Sequence, residues 1–406
     1  MFNENWVGLA LFAAIVGLAF NQAGLLVLAI LVLMAVAAGW AWNRYALHRI
    51  DYQRSLSERR AFLGEELELR LEVTNRKVLP VSWLKIEDEY PLPVTLLDGT
   101  VQPSTKPGIG LLGNLMSLRW FERARWRYQL RCDKRGVYPF GPAHIEAGDL
   151  FGLFSSHCSR LDQDWLIIYP RVKPIELLGL PPKDPFGEVK ARQRIFEDPS
   201  RTIGIRDYQF SDTLKRMHWK ATARRQKLQV KVYEPTTSFQ LLIFLNMVTL
   251  PRHWQGTIPE LLEEVVSAGA SIASYAVEKR FQVGLLANGC WPQSDQPLKV
   301  LPSRSPDQLT RILEALAAVS AMPTISIEEL LNSESARLPW GATLAVVTAV
   351  VTEELLIVMN RLQEAGRRMV LLHMDDKPLP FDVPRIAVHR LRDLGPAFGI
   401  EEGKRP

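Results

Sequence analysis

The side chains best suited to catalysis in this sequence are two histidines, His218 and His373. His218 lies among basic residues and a tryptophan, and His373 ends an apolar run immediately before Asp375 and Asp376. Imidazole is the usual general base near neutral pH, and a neighbouring carboxylate could orient it. No serine or cysteine beside either histidine lies on a recognisable sharp turn. A hydrolase that uses His218 or His373 is therefore an alternative hypothesis, and the main prediction is a protein without enzymatic activity.

Familiar catalytic and metal-binding motifs are missing from the sequence, including H-E-x-x-H, G-x-x-x-x-G-K-[ST] and G-x-S-x-G. The three cysteines, Cys132, Cys158 and Cys290, have no C-x-x-C spacing, which excludes a cysteine zinc site and fits a reducing compartment. A G-x-G-x-x-G match at Gly108–Gly113 follows two prolines instead of a buried strand, so it predicts a loop. We therefore predict no cofactor.

Length and patterning divide the chain into four predicted regions. Its 406 residues are enough for two or three domains, and 47% hydrophobic with 23% charged residues excludes collagen-like and wholly disordered proteins. The net charge of +5 is too small to imply a polyanionic partner. The predicted regions are a two-helix transmembrane hairpin (1–45), a β-sandwich domain (60–175), a charged connecting segment (176–238) and an α/β domain (239–406).

Two apolar runs, Trp6–Phe20 and Leu25–Trp42, flank a turn at Asn21–Gly24. As helices they would measure about 22 and 27 Å, close to the roughly 30 Å of a bilayer core. This predicts a multi-pass protein of the inner (plasma) membrane with the lipid bilayer as a partner. A cleaved signal peptide and one long helix broken at Asn21 are the alternatives.

Charge at the ends of these runs predicts their orientation. Basic residues follow Trp42 and the turn carries none, so both termini and all soluble domains should be cytoplasmic. The basic residues and histidine that follow the second run are Arg44, His48, Arg49, Arg54, Arg59 and Arg60.

The two soluble domains follow from different periodicities. Alternating polar and apolar residues in Glu66–Val73, Val81–Glu87 and Trp126–Cys132 predict antiparallel strands of a β-sandwich. Beyond Ser238, apolar strands alternate with amphipathic helices, which predicts an α/β domain with a mostly parallel sheet. The predicted strands there are Phe239–Leu245, Arg280–Ala287, Ala342–Val347 and Arg368–Met374, and the helices Pro259–Glu278, Pro306–Val319 and Thr352–Ala365.

The segment between these domains, Lys183–Glu234, holds thirteen basic and seven acidic residues, a net +6. It is either a solvated linker paired with its own acids or a basic surface near the membrane that attracts anionic lipid or an acidic protein. Nucleic acid is the other possible ligand of such a segment, but the sequence has no basic groove interleaved with aromatic residues, so we predict no nucleic-acid partner.

A set of spaced residues starting at Gly204 is similar to the hallmark G-x-R-x-Y-x-x-x-D-x-x-x-x-I-H-W-x-x-x-A-R, with Met217 in place of isoleucine. Lys134–Tyr138, Gly148–Phe154 and the pair Tyr169–Pro170 add supporting matches. These motifs resemble the family called domain of unknown function 58 (DUF58) over nearly the whole chain. We call residues 204–234 the hallmark segment, and its candidate interaction or structural residues are Arg206, Asp207, Tyr208, Asp212, His218, Trp219, Lys220 and Arg224.

The resemblance implies a membrane-anchored protein with a von Willebrand factor A-like domain after the hallmark segment. It also implies a protein partner, a MoxR-type AAA+ ATPase, in assembly or chaperone work, and no enzymatic activity is established for the family. We therefore expect a non-enzymatic, membrane-anchored protein whose cytoplasmic A-like domain binds other proteins.

The side chains of the hallmark segment suggest either a binding surface or a purely structural one. Arg206, Asp207 and Asp212 could form charge-assisted pairs with basic residues nearby, namely Arg216, Lys220 or Arg224. The indole of Trp219, surrounded by charge, should be buried.

An A-like domain that binds Mg²⁺ does so, by the same resemblance, through D-x-S-x-S after its first strand. Here Asn246, Val248 and Leu250 occupy those three positions. An amide and two aliphatic side chains replace the hard oxygen ligands that Mg²⁺ requires. We therefore predict a degenerate site and no metal.

Overall fold

The computed structural model of the protein describes residues 8, 12, 15, 23–150, 152–178, 180, 197–209, 212, 217–235, 239–251, 256–292, 294–338, 341–374, 379, 381, 383 and 386–391. The chain divides into two compact units, Met1–Pro170 and Arg171–Pro406.

The first unit begins with one apolar helix, α1 (Ala23–Ala46). Its span Val27–Ala46 is long and apolar enough to cross a membrane, alone in this among the described helices. Leu28, Leu31 and Met34 are 57%, 58% and 65% exposed, so little of the protein covers this surface. The first predicted run, Trp6–Phe20, lies almost wholly outside the described residues. The described part of the chain thus supports one N-terminal apolar helix, either an anchor or a signal, and not a multi-pass hairpin.

After α1 the first unit is built from β-strands in three sheets. The pairing is antiparallel except between β2 and β12, and the orders are β1-β3-β8-β5, β11-β10-β4-β7-β6 and β2-β12-β9. The strands are β1 (Ile50–Leu56), β2 (Arg60–Phe62), β3 (Glu66–Asn75), β4 (Val81–Pro91), β5 (Thr95–Leu96), β6 (Gln102–Pro103), β7 (Ile109–Leu118), β8 (Arg123–Arg131), β9 (Gly136–Phe140), β10 (Ala143–Gly148), β11 (Ser155–Arg160) and β12 (Asp164–Tyr169).

The alternation that predicts these strands also forms their core. Leu67, Leu69, Leu71 and Val73 on β3 are buried, whereas the residues between them are not. One core cluster includes Tyr90 edge-on against Phe140, with ring centroids 5.4 Å apart. Burial of such apolar side chains stabilises the unit by about 1.5–3 kcal/mol for each large residue.

The G-x-G-x-x-G segment at Gly108–Gly113 is not a loop, as predicted, but mostly part of strand β7. β7 pairs with β4 on one side and β6 on the other. A Cβ at Gly110 would lie 2.2 Å from Cγ1 of Val101. Gly110 therefore allows a close approach between neighbouring chain segments, a role that does not require a phosphate ligand.

A buried ion pair lies within this unit. Arg54 Nη1 contacts Asp88 Oδ1 at 2.6 Å, and both side chains are only 4% exposed. Tyr52 donates its hydroxyl to the second oxygen of Asp88 at 2.6 Å, and Arg54 Nε reaches Asp164 at 3.1 Å. Burial raises the pKa of Asp88, and the Arg54 guanidinium opposes that rise.

The second unit contains a two-stranded ribbon and a six-stranded sheet, β17-β16-β15-β18-β19-β20. Neighbours in the large sheet are parallel except β16 and β17. Its elements are a 3₁₀ turn (Ile175–Leu178), β13 (Glu197–Asp207), α2 (Trp219–Arg225), β14 (Gln229–Pro235), β15 (Gln240–Leu245), α3 (Pro259–Glu278), β16 (Gln282–Cys290), β17 (Pro297–Ser303), α4 (Gln308–Ala318), α5 (Ile327–Ser335), β18 (Thr343–Thr348), α6 (Glu353–Glu364), β19 (Arg368–His373) and β20 (Ala387–Arg390).

The predicted α/β alternation is confirmed, and α3 has the predicted bounds, Pro259–Glu278. Beyond Ser238, three elements were not predicted: β17, α5 and β20. β20 has only four residues and β17 pairs antiparallel at the sheet edge, so neither carries the long apolar run that indicates a central parallel strand.

Candidate functional site

The described part of the hallmark segment forms a β-ribbon with a short helix between its strands. β13 and β14 pair antiparallel, with Arg206 opposite Val230 and Asp207 opposite Gln229. Helix α2 lies between them in sequence and has no buried residue. Five of the seven residues of α2 are exposed, and Ala221 and Thr222 are half-buried.

Hydrogen bonds fix the orientation of α2 on the ribbon. The main-chain N–H of His218 donates to the Gln229 carbonyl at 2.8 Å. The Thr222 hydroxyl accepts from the Gln229 N–H at 3.0 Å. Gln229 is 1% exposed, and its side-chain amide donates to the carboxylate of Asp207. One buried glutamine thus links the strand, the helix and a hallmark carboxylate.

His218 caps the helix N-terminus. Its Nδ1 accepts a hydrogen bond from the main-chain N–H of Ala221 at 3.0 Å, which satisfies one of the donors left open in the first helical turn. An imidazole that accepts at Nδ1 is not available as a base through that atom. The geometry therefore gives His218 a structural task and weakens the hydrolase hypothesis built on it.

Arg206 and Asp212 pair with each other, an ion pair that the sequence reasoning did not include. The two guanidinium nitrogens contact the two carboxylate oxygens at 2.7 and 2.5 Å, a bidentate arrangement. Asp212 also accepts from the main-chain N–H of Gln209 at 2.9 Å. Arg216, one of the partners predicted for these residues, lies outside the described residues. The turn after β13 is therefore closed by an ion pair within the hallmark segment.

The prediction that Trp219 is buried is wrong, because the residue is 68% exposed. Lys220 and Arg224 on the same helix are exposed as well. The seven-residue helix has too little area to cover an indole, so the ring projects into solvent. Trp219 is thus an exposed aromatic side chain on a helix that also carries the exposed cations Lys220 and Arg224. Met217, by contrast, is buried where it pairs with Val230.

A second candidate site lies at the carboxyl ends of the parallel strands, where open α/β sheets bind ligands. Buried polar residues form a row across four adjacent strands of this edge. The row consists of Asn288 on β16, Asn246 after β15, Thr348 on β18 and His373 on β19, with exposures of 0%, 5%, 0% and 6%.

The amides and the hydroxyl of this row satisfy one another. Asn246 donates to Thr348 Oγ1 at 3.0 Å and accepts from the Asn288 amide at 3.0 Å. Asn288 in turn accepts the main-chain N–H of Met247 at 2.7 Å, and Thr348 donates to the Val350 carbonyl at 2.6 Å. Internal hydrogen bonds thus use the polar atoms that a metal would otherwise require.

The residues at the degenerate metal motif follow the same pattern. Val248 donates its main-chain N–H to the Asn246 carbonyl oxygen Oδ1 at 3.2 Å, and Thr249 Oγ1 accepts from Ile258 N at 2.7 Å. Neither Val248 nor Leu250 has a polar side-chain atom. The described residues contain no group of three or more His, Cys, Asp or Glu side chains that could hold a metal ion.

His373 lies in this row, opposite Thr348 in register. Its main-chain carbonyl accepts from Leu391 N at 2.8 Å. Asp375 and Asp376, the carboxylates that could orient its imidazole, lie outside the described residues.

The basic residues from Lys183 to Arg194 also lie outside the described residues. The hypothesis of a basic surface in the segment 183–234 therefore stays a prediction.

Sequence reasoning missed three residues that form hydrogen bonds within the candidate sites: Gln229 and Thr222 at the ribbon, and Asn288 at the sheet edge. Gln229 and Thr222 belong to the hallmark segment but outside its defining letters. Asn288 interrupts an apolar strand, and a polar residue within such a run is the signal that could have identified it. Its partner, 42 residues away in sequence, could not be inferred from that signal.

Comparisons with known proteins give one family match and one curated relative. Residues 204–393 match the family described as "Protein of unknown function DUF58". The chain is 24% identical over 319 residues to the uncharacterized protein YeaD of Bacillus subtilis, covering 77% of this chain and 73% of that protein.

Two solved structures with similarity to this chain each cover about three tenths of it. A non-cellulosomal cohesin of Archaeoglobus fulgidus is 11% identical, with a TM-score of 0.20 over 29% of this chain and 91% of the other. The sporulation control protein Spo0M of Bacillus subtilis is 12% identical, with a TM-score of 0.19 over 30% and 49%.

Proposed function

We propose that this chain, whose residues 204–393 match the DUF58 family, is a non-enzymatic, membrane-anchored protein that binds a protein partner through the exposed face of α2. On this proposal its second unit is a von Willebrand factor A-like domain. Among the described strands of its six-stranded sheet, only β17 is antiparallel to its neighbour. β17 lies at the sheet edge and is the third of these strands in chain order, and this arrangement supports the assignment. The first unit corresponds to the β-sandwich predicted from the sequence.

The observation that carries the proposal is the exposure of Trp219 on a fixed support. Tryptophan and arginine are the residue types most enriched at energetically important positions of protein interfaces. Trp219 is 68% exposed and Arg224 lies on the same short helix. Because hydrogen bonds to Gln229 and His218 already order this helix, binding would cost little additional conformational entropy.

The charge of the helix indicates the kind of partner. Lys220, Arg224 and Arg225 are exposed on α2, and its first turn has no acidic residue. A complementary surface would offer an apolar pocket for the indole, bordered by carboxylates. The resemblance to DUF58 proteins names a MoxR-type AAA+ ATPase as the candidate for this role in assembly or chaperone work.

Crosslinking in native membranes tests the partner. We expect the wild-type chain to capture the AAA+ ATPase and Trp219→Ala to lose it without a change in melting temperature, since the ring is exposed. Trp291→Ala is the matched control, because Trp291 is a 45% exposed tryptophan in the same unit. Equal capture by wild type and Trp219→Ala would refute the role of α2.

Two variants of His218 separate this proposal from the hydrolase alternative. Asparagine is a good N-cap residue and alanine is not. If His218 is only a helix cap, His218→Asn should retain partner capture and stability, whereas His218→Ala should lose about 1 kcal/mol of stability. A hydrolytic activity lost equally in both variants, with folding intact, would favour the enzyme.

The proposal also assigns α1 to the membrane and the soluble units to the cytoplasm. Arg44, at the end of α1, and Arg49 immediately after it support that orientation. A reporter active only in the periplasm should be silent when fused after Pro406, and activity there would overturn the orientation. Fused before Met1, the same reporter distinguishes a hairpin, which keeps the N-terminus cytoplasmic, from a single span.

A further inference from the structure

Three turns of the first unit lie at the end where α1 joins it. The turn between β3 and β4 contacts the helix directly, because Lys77 Nζ donates to the main-chain carbonyls of Ala46 and His48. The turn between β7 and β8 joins it, with Phe121 N donating to the Lys77 carbonyl at 3.3 Å. The turn after β10 approaches Gly39, where a Cβ would lie 2.8 Å from Asp149 Oδ2.

Each of these turns presents a large apolar side chain to solvent. Val78 is 71% exposed, Trp120 65%, Phe121 64% and Leu150 65%. Single exposed apolar residues are ordinary on a protein surface, but four on adjoining turns beside an apolar helix form a shared feature. The exposed surface of α1 continues this apolar character, since Met34 is 65% exposed.

Arginines accompany the apolar side chains. Arg49, Arg76 and Arg119 are exposed on or beside the same turns. Nearby acids are engaged locally: Glu122 accepts from Arg119 N at 2.6 Å, and Asp51 pairs with Arg76 at 2.7 Å. Aromatic rings with arginines are the combination found where proteins meet the headgroup region of a bilayer with anionic lipids.

The backbone at Phe121 is unusual for its residue type. Its φ is +52°, in the left-handed region that favours glycine and that bulky residues rarely adopt. Backbone strain of this kind costs stability and is concentrated at functional positions of proteins. An exposed aromatic ring kept in that conformation contributes little to the core of the unit, which indicates an external role.

We propose that these turns form a lipid-docking face that places Val78, Trp120, Phe121 and Leu150 in the headgroup region while Arg49 and Arg119 contact anionic phosphates. This inference rests on the proposed anchoring by α1. Docking would fix the orientation of the first unit against the bilayer, so that the unit would not rotate freely on a flexible tether.

Photocrosslinking of the full chain in nanodiscs containing phosphatidylglycerol tests this. A benzoylphenylalanine replaces Phe121 in one variant, and Leu161 or Met34 in two others. Leu161 is the matched control: it is 79% exposed and follows β11 at Arg160, which pairs with Ala143 at the far end of β10 from Asp149. Met34 reports whether α1 itself is in the bilayer.

We expect lipid adducts from positions 34 and 121 and none from 161. Adducts from 34 but not 121 would overturn the docking face and leave the anchor intact. No adduct from 34 would overturn both. Adducts from 121 and 161 alike would show nonspecific contact and also refute the docking face.

A second comparison separates docking from folding. Phe121→Gly relieves the positive φ, so the variant should fold with an unchanged or higher melting temperature. With the crosslinker at Trp120, the lipid adduct should nevertheless decrease in this background, and also when phosphatidylcholine replaces phosphatidylglycerol. An adduct that is insensitive to both changes would contradict the proposal.

Discussion

The side-chain amide of Asn246 donates to the hydroxyl of Thr348 at 3.0 Å, joining two neighbouring parallel strands at the edge where α/β sheets hold ligands. If the second unit is the A-like domain that the resemblance implies, the metal-binding version would have a carboxylate at the position of Asn246. An amide can donate as well as accept, and both capacities are used here within the protein. This hydrogen bond therefore makes the edge part of a structural polar network, which does not need metal ligands at Asn246, Val248 and Leu250.

Asn246→Ala should destabilise the second unit by about 1–3 kcal/mol, because it leaves the buried Asn288 amide and the Val248 N–H without their shared acceptor. Thermal unfolding of the full chain measures this. Asn360→Ala on α6 is the control, since its 3.4 Å contact with Glu364 is exposed and its loss should matter little. Equal effects of the two substitutions would argue against the network.

Divalent metal should have no specific site at this edge. Calorimetric titration of the purified chain with millimolar Mg²⁺ or Mn²⁺ should show no saturable binding, because Asn246 is engaged and Val248 and Leu250 have no polar side-chain atom. Partner capture should accordingly be insensitive to EDTA. A saturable 1:1 site that disappears in Asn246→Ala would contradict this prediction.

Arg54→Ala should destabilise the first unit by about 3–5 kcal/mol at neutral pH, since it leaves the buried Asp88 carboxylate uncompensated. Arg70→Ala is the matched control, because its pair with Glu68 has a 58% exposed guanidinium and should contribute little to stability. Calorimetry in detergent compares them.

The effect of Arg54→Ala should also depend on pH. Burial raises the pKa of Asp88, so the folded carboxyl holds its proton to higher pH than the unfolded one, and more so without Arg54. The destabilisation should therefore shrink as the pH falls toward 5. A constant difference between pH 8 and 5 would show that Asp88 stays ionised in the variant.

Lys77 should make stability rise with pH in the alkaline range. Burial lowers the pKa of Lys77 to about 8 from its ordinary 10.5, so between these values the unfolded chain binds more protons than the folded one. Stability should increase through this window in the wild type, and the increment should be absent from Lys77→Met. Parallel unfolding curves at pH 7.5, 9 and 10 compare the two chains; identical pH dependence would contradict the assignment.

Most of the architecture could be predicted because it depends on local periodicity. The alternation in Glu66–Val73 predicts a half-buried strand, and the 3.6-residue spacing in Pro259–Glu278 predicts α3 to the residue. These patterns arise from each residue's own preference for water or the core. Gly108–Gly113 shows the limit, because its motif resembles a loop and only pairing with β4 and β6 makes it mostly strand.

The sequence alone therefore determined the apolar helix, the strand-rich first unit, the α/β second unit and the hallmark residues. Only the tertiary structure decided what those residues do: His218 caps a helix, Arg206 pairs with Asp212, and Trp219 is exposed. Hydrophobic periodicity is a property of consecutive residues, whereas hydrogen-bond partners and exposure depend on how the chain folds back on itself. Gln229, seven residues after Thr222, positions the helix that displays Trp219, and no periodicity in the segment indicates that contact.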